Sequence, residues 1–250
     1  MRSTHKLISV ALLLAAALVA IRSTHAQPAA APIATPATAP APSATTRPTG
    51  PARWEKEIAA YEAADRANPP AKGGIVFIGS STIRLWKTLA SDFPDHHVLN
   101  RGFGGSQIVD ATHFADRIVI PYAPRMVVLR AGGNDIHAGK SAERVFADYQ
   151  AFVTKVRSAL PDAQIVYISM SPAPVRWDER HTNKRVNTLI EEFSKRTPGL
   201  KYVETYDMSV NHDGTAREEL FVKDRLHFNE AGYKILADLV RPVLGTAAKQ

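Results

Sequence analysis

The sequence predicts an α/β fold, a five-stranded parallel sheet with helices on both faces. Two observations lead there. Short unbroken apolar runs, such as IVFIG (75–79) and MVVLRA (126–131), lack the in-out alternation of a half-solvated strand. Runs of that kind suit strands covered on both faces. Between them lie longer stretches whose apolar positions recur at three and four residues, the helical period. Strands that alternate with such helices build a parallel sheet.

The elements follow in order. WEKEIAAYEAADRA (54–67) places Trp54, Ile58 and Tyr61 on one helical face, and Pro69-Pro70 and Gly73-Gly74 stop it. IVFIG is the first strand and HVLNRG (97–102) the second. SQIVDATHFADRIV (106–119) is helical, and MVVLRA is the third strand. Residues 141–160 form a long amphipathic helix, with Val145, Tyr149, Phe152, Val156 and Leu160 on one face. QIVYISM (164–170) is the fourth strand; residues 177–196 are helical and end at Pro198-Gly199. LKYVETY (200–206) is the fifth strand, and residues 229–244 form a last helix with Asn229 as its N-cap. No internal repeat is present. Five such strands fit a three-layer α/β/α sandwich of the flavodoxin-like kind.

The segment before the first helix has another composition. Residues 1–6 are short and basic, residues 7–21 carry no charge, and Thr24-His25-Ala26 offers small residues for cleavage. That is the shape of a secretory signal over residues 1–26. Its 15-residue apolar run falls short of a spanning helix. An uncleaved N-terminal anchor is the other reading. Residues 27–52 hold seven prolines and no acid, as a Pro/Ala-rich linker does. Residues 53–250 then form one domain, large enough for a sizeable core. The expected address is secreted, periplasmic or cell-envelope, with no integral membrane span after signal cleavage.

Charge and cysteine usage narrow the chemistry. The formal charge is +7, of which Arg2, Lys6 and Arg22 contribute three, leaving +4. The remaining basic residues are scattered, so no nucleic-acid partner is expected. The absence of cysteine excludes disulfides, thiolate nucleophiles and cysteine-bound metals. His96-His97 and His212-Asp213 lack metal-ligand spacing, so no metal and no cofactor are expected. GGNDIHAGKS (132–141) looks like a phosphate loop, but that motif needs glycine at Asn134, which rules it out.

The strand ends carry the functional signal. The first strand ends at Gly79-Ser80-Ser81, and the second runs into Asn100-Arg101-Gly102-Phe103-Gly104-Gly105. The third runs into Gly132-Gly133-Asn134-Asp135, and Asp224-Arg225-Leu226-His227 precedes the last helix. Taken singly, Ser81 reads as a helix cap, Asn134 as a turn residue, and Asp224 with His227 as a surface pair. In this order they resemble the four blocks of the SGNH, or GDSL-type, hydrolases, across essentially all of residues 73–245. The resemblance implies a nucleophilic serine at Ser81, a glycine amide at Gly105, an asparagine donor at Asn134, and an Asp-x-x-His pair at Asp224 and His227. The chain departs from the family pattern at Ser80, at Ser106 and at Phe228, which stands where a proline is common and reads as packing.

The chemistry is consistent without the name. A serine hydroxyl needs a base within hydrogen-bond reach. His227 is the natural one, since imidazole titrates near neutrality. Asp224, three residues earlier, can fold back to fix its tautomer. Charge on the ester oxygen needs donors set in advance, and the Ser81 N–H, the Gly105 N–H and the Asn134 side chain can supply them. Ser80 is the local rival to Ser81. Trp86 reads as packing, whereas Arg176 and Trp177, in SPAPVRW after a strand, are candidates for shaping the substrate pocket.

The expectation is an exported serine esterase acting on a small-molecule or glycan ester, with a short acyl chain, through an acyl-enzyme. An acyltransferase using the same residues is one alternative. A catalytically silent envelope module that binds glycan or protein is the other. Oligomeric state is not legible.

Overall fold

In a computed structural model describing residues 50–245, five parallel strands pair in the order β2-β1-β3-β4-β5. They are β1 (Ile75–Gly79), β2 (Val98–Gly102), β3 (Met126–Arg130), β4 (Gln164–Ile168) and β5 (Leu200–Val203). The expected signal over 1–26 and most of the expected linker over 27–52 lie outside the described residues. The last part of that linker, from Gly50, enters a 3-10 turn, Gly50–Trp54. The described residues belong to one compact unit.

Among the described residues eight α-helices connect and cover the sheet: α1 (Glu55–Ala67), α2 (Ser81–Arg84), α3 (Leu89–Asp92), α4 (Ile108–Ile118), α5 (Gly133–His137), α6 (Ala142–Ala159), α7 (Arg180–Arg196) and α8 (Glu230–Val240). Strand periodicity divides the apolar side chains between two cores. Val76, Ile78, Val127, Leu129, Ile165 and Tyr167 pack with Ile58, Phe114, Phe152 and Ile190 of the first helical layer. Ile75, Phe77, Met126, Val128, Val166 and Ile168 pack with Trp86, Phe93, Leu236 and Val240 of the second. Each such side chain contributes about 1.5–3 kcal/mol on burial, so a strand apolar on both faces needs helices on both. Trp86 is packing, as expected: its ring meets Phe77, Phe93 and Tyr233. Among the described residues no helix is long and apolar enough to cross a membrane.

The strand order places the site. The chain leaves β1 for β2 on one side, then returns to β3 on the other. Loops after β1 and β3 therefore diverge and open a crevice at the carboxyl ends of the strands. Ser81 follows β1 and Asn134 follows β3.

Several boundaries differ from the sequence reading, for local reasons. The fourth strand ends at Ile168 because the Asn187 side chain takes both the Met170 N–H and the Met170 carbonyl, at 3.0 and 2.8 Å. The fifth ends at Val203, where Thr205 N–H turns to Ser169 Oγ at 2.6 Å. The helix expected from residue 177 starts at Arg180, after a 3-10 turn, Pro174–Glu179, that is kinked at Arg176. The last helix stops at Val240 because Pro242 has no N–H to continue it, and a 3-10 turn follows. Asn229 caps α8 as expected, accepting from Gly232 N–H at 3.1 Å.

Candidate active site

The sharp turn after β1 starts the site. Gly79 has φ +150°, and a Cβ there would sit 2.0 Å from the Arg130 carbonyl oxygen. Only glycine lets β3 approach so closely while Ser80 N–H donates to that same carbonyl at 3.2 Å. The chain then turns into α2, with Ser81 at its first residue. Four residues form a poor helix alone. Asn100 from β2 supports it by donating to the Ile83 carbonyl at 2.6 Å, and Tyr233 of α8 donates to the Thr82 carbonyl at 2.9 Å. The Ser81 N–H lies in the first turn, where a helix offers no internal acceptor.

The loop before α8 brings the base. Asp224 Oδ1 accepts from the N–H groups of Leu226 and His227 at 2.9 and 3.0 Å. This tight turn requires Arg225 at φ +57°, a left-handed conformation unusual outside glycine. Asp224 Oδ2 lies 2.6 Å from His227 Nδ1, and His227 Nε2 lies 2.9 Å from Ser81 Oγ. A carboxylate only accepts, so it holds the proton on Nδ1 and leaves Nε2 to accept from the serine hydroxyl. Burial works to raise the Asp224 carboxyl, but the hydrogen bonds from the His227 ring and the two N–H groups outweigh it and hold it at about 2. Asp224 is thus charged throughout the neutral range.

The loop after β3 supplies an amide. Asn134 Nδ2 donates to the Ser106 carbonyl at 3.0 Å, and Asn134 Oδ1 accepts from Arg176 Nη1 at 3.2 Å. One Nδ2 hydrogen is left for the cleft. The neighbouring Asp135 is fully buried and accepts from Ile108 N–H and from Lys140 Nζ, which also reaches Asp148. That network joins the loop after β2 to the loop after β3. Burial chiefly raises the Asp135 carboxyl, with Lys140 opposing.

Ser81, Asn134, His227 and Arg176 line one cleft of about 80 Å³, with Met170, Ala173 and Phe221 among its apolar walls. One expectation needs correction. Trp177 is not among the lining residues; Arg180 covers its ring at 5.5 Å. A Cβ on Gly105 would meet only Arg53 Nη2 within 4 Å, at 3.2 Å. Its φ of +78° lies in the left-handed region that favours glycine. Phe228 packs as expected, against Phe221 at 5.1 Å.

Sequence reasoning missed one cleft residue of note. Arg130 ends β3, is 6% exposed and lines the cleft. Its acceptors are neutral: the Ser169 carbonyl, Thr205 Oγ1 at 3.1 Å and Ser171 Oγ at 3.3 Å. Burial lowers its guanidinium to about 10. An arginine at the tip of an apolar strand run was the available signal.

Known proteins resemble this chain. The model of the GDSL-like lipase/acylhydrolase family matches residues 74–235, more than half of the chain. Platelet-activating factor acetylhydrolase IB subunit alpha2 of Gallus gallus is 26% identical over 68% of this chain and 77% of its own length. A GDSL-like lipase from Bacteroides thetaiotaomicron superposes with a TM-score of 0.63 at 20% identity, covering 75% of this chain and 96% of that one. The acetylxylan esterase Axe2 of Geobacillus stearothermophilus gives 0.54 at 16% identity, covering 72% and 98%. The chain belongs to the GDSL-like lipase/acylhydrolase family, and it is an ester hydrolase.

Proposed function

We propose that this protein is an exported serine esterase that removes short acyl groups, acetyl foremost, from small-molecule or glycan esters. The observation that carries the reading is the continuous contact from Asp224 through His227 to Ser81, at 2.6 and 2.9 Å. Ser81 Oγ attacks the ester carbonyl while His227 Nε2 takes its proton. The tetrahedral oxyanion is held by the Ser81 N–H, the Gly105 N–H and Asn134 Nδ2. Collapse expels the alcohol, which receives the proton from His227, and leaves the acyl group on Ser81. A water then gives its proton to His227 and attacks the acyl carbon; the bond to Ser81 Oγ breaks, Oγ takes that proton back from His227, and the acid is freed.

A short acyl group is supported by the small cleft, about 80 Å³. The relatives named for acetyl chemistry agree with this choice. Export is supported by the basic, apolar and small-residue pattern of residues 1–26.

A p-nitrophenyl ester series tests the reading. Acetate is expected to be turned over fastest, with kcat/KM falling as the chain grows to butyrate and octanoate. A fluorophosphonate is expected to label Ser81, and Ser80→Ala is expected to keep that labelling. An adduct on Ser80, or a preference for octanoate, overturns the assignment of nucleophile or of acyl length. Covalent labelling without turnover of any ester favours the acyltransferase, and a sugar acceptor added to the assay then restores release.

A further inference from the structure

We infer that Arg176 is a positioning residue that holds and polarises the oxyanion donor Asn134, so that an arginine outside the family's four blocks sets part of the catalytic rate. The inference deepens the esterase reading and rests on it.

The geometry is direct. Arg176 Nη1 donates to Asn134 Oδ1 at 3.2 Å and to the Gly133 carbonyl at 3.4 Å. No ion pair among the described residues takes this guanidinium, and nearby Glu179 is engaged with His137 Nδ1 at 2.6 Å. Burial lowers the Arg176 guanidinium, with the Glu179 charge opposing. A partly desolvated cation is therefore committed to an amide oxygen and a backbone carbonyl.

An asparagine amide has two orientations that exchange its oxygen and nitrogen. Ser106 O faces Nδ2 and Arg176 faces Oδ1, so both contacts demand the same orientation. The reversed amide would set oxygen against oxygen at Ser106 and N–H groups against the guanidinium at Arg176. Arg176 thus keeps the second Nδ2 hydrogen turned to the cleft.

The contact also strengthens as the reaction proceeds. An oxyanion bonded to Nδ2–H draws electron density toward the amide oxygen. The more negative Oδ1 becomes, the more the adjacent cation stabilises it. The gain appears in the transition state and not in the ground state, so it raises kcat more than it lowers KM.

The backbone makes the placement reliable. Val175 N–H donates to the Arg225 carbonyl at 3.1 Å. The turn that carries Arg176 is therefore tied to the loop of Asp224 and His227, while its side chain is tied to the loop of Asn134.

A double-mutant cycle on p-nitrophenyl acetate tests the inference. Arg176→Ala is expected to lower kcat about tenfold, the size of coupling common between contacting side chains, with KM little changed. Asn134→Ala alone is expected to lower kcat about 100- to 1,000-fold. In the Asn134→Ala background, Arg176→Ala is expected to cost less than about twofold. Arg176→Lys, which keeps the charge but not the planar fork, is expected to recover part of the loss. Equal losses in both backgrounds, or a change in KM alone, overturn the inference and leave Arg176 as a pocket wall. If Arg176→Ala fails to fold, Arg176→Gln takes its place in the same cycle. Full kcat in Asn134→Ala overturns the oxyanion reading itself, and the role of Arg176 with it.

Discussion

The two halves of the cleft are built in opposite ways. On the oxyanion side, Asn134 stands beside Asp135, whose side chain is 0% exposed and is locked to Ile108, Lys140 and, through Lys140, to Asp148. On the acid–base side, Asp224 is 48% exposed and its carboxylate is satisfied within three residues of its own loop. One half is an outgrowth of the core, and the other is a self-contained turn resting on it. Groups that must be aimed at a developing charge gain from a rigid, water-poor mounting. A base that takes and returns protons can stand closer to solvent, provided its tautomer is fixed. Damage to the first half should appear in stability as well as rate, and damage to the second in rate alone.

The largest effects test the exposed half. His227→Ala removes the proposed base and is expected to lower kcat by about a million-fold; Asp224→Ala is expected to lower it by about ten-thousand-fold. Both variants should unfold within about 0.5 kcal/mol of the parent, as surface changes do. Steady-state kinetics and urea unfolding on the same samples check this. A destabilisation above 2 kcal/mol in Asp224→Ala would show that the turn supports the core, and the contrast would fail.

Asn134→Ala comes next, with a loss of about 100- to 1,000-fold in kcat and little change in KM. Phosphonylation of Ser81 should slow but persist, because the nucleophile and its base are untouched. Unchanged turnover in this variant would reduce the third block to a structural turn.

How much of this was legible in the sequence depends on the length over which each signal extends. IVFIG predicted β1 to the residue, because four consecutive apolar positions flanked by Gly74 and Gly79 leave little choice. The long helices α1, α6 and α7 showed their period over three or more turns. The short helices α2, α3 and α5 did not, because four or five residues hold barely one period. Ser81, Asn134, Asp224 and His227 were legible through their order at strand ends; the sheet order places Ser81, Asn134 and His227 in one cleft, and Asp224 meets His227. Long-range contacts left no local trace. The Arg176–Asn134 contact spans 42 residues, and the left-handed Arg225 gives no sign in a residue type that seldom adopts it.

The buried half is tested by Lys140→Met. Lys140 Nζ sits 2.8 Å from Asp135 and 2.7 Å from Asp148, and both carboxylates are nearly inaccessible. Removing the cation leaves them facing one another, at an expected cost of about 3 kcal/mol. The pH dependence has a definite sign. Burial already raises the Asp135 carboxyl, and without Lys140 it rises further above its unfolded value. An acid raised in the folded state is tolerated when protonated and disfavoured when charged. The deficit should therefore shrink at acid pH and grow as pH rises through the folded Asp135 pKa. Unfolding of parent and variant across pH 4 to 8 measures it. A pH-independent deficit would point to lost packing of the lysine stem.

The smallest effect probes the hinge between the halves, at Arg225. Its φ of +57° costs a non-glycine residue about 1–2 kcal/mol. Its side chain pairs with Glu218 at 2.5 Å, with both groups more than half exposed, so the pair contributes little. Arg225→Gly relieves the backbone, loses the pair, and frees the unfolded chain by roughly 0.4–1 kcal/mol. These terms nearly cancel, so stability should stay within about 0.5 kcal/mol of the parent. The backbone carbonyl of residue 225 still accepts from Val175, so kcat should fall by less than about twofold. Arg225→Val keeps the strain, adds a β-branch that the left-handed region resists, and forces the turn to open. Opening moves Asp224 from His227 and should cut kcat far more than it lowers the unfolding midpoint. If Arg225→Val unfolds in proportion to its loss of kcat, the turn is not self-contained, and the two halves of the cleft share one support.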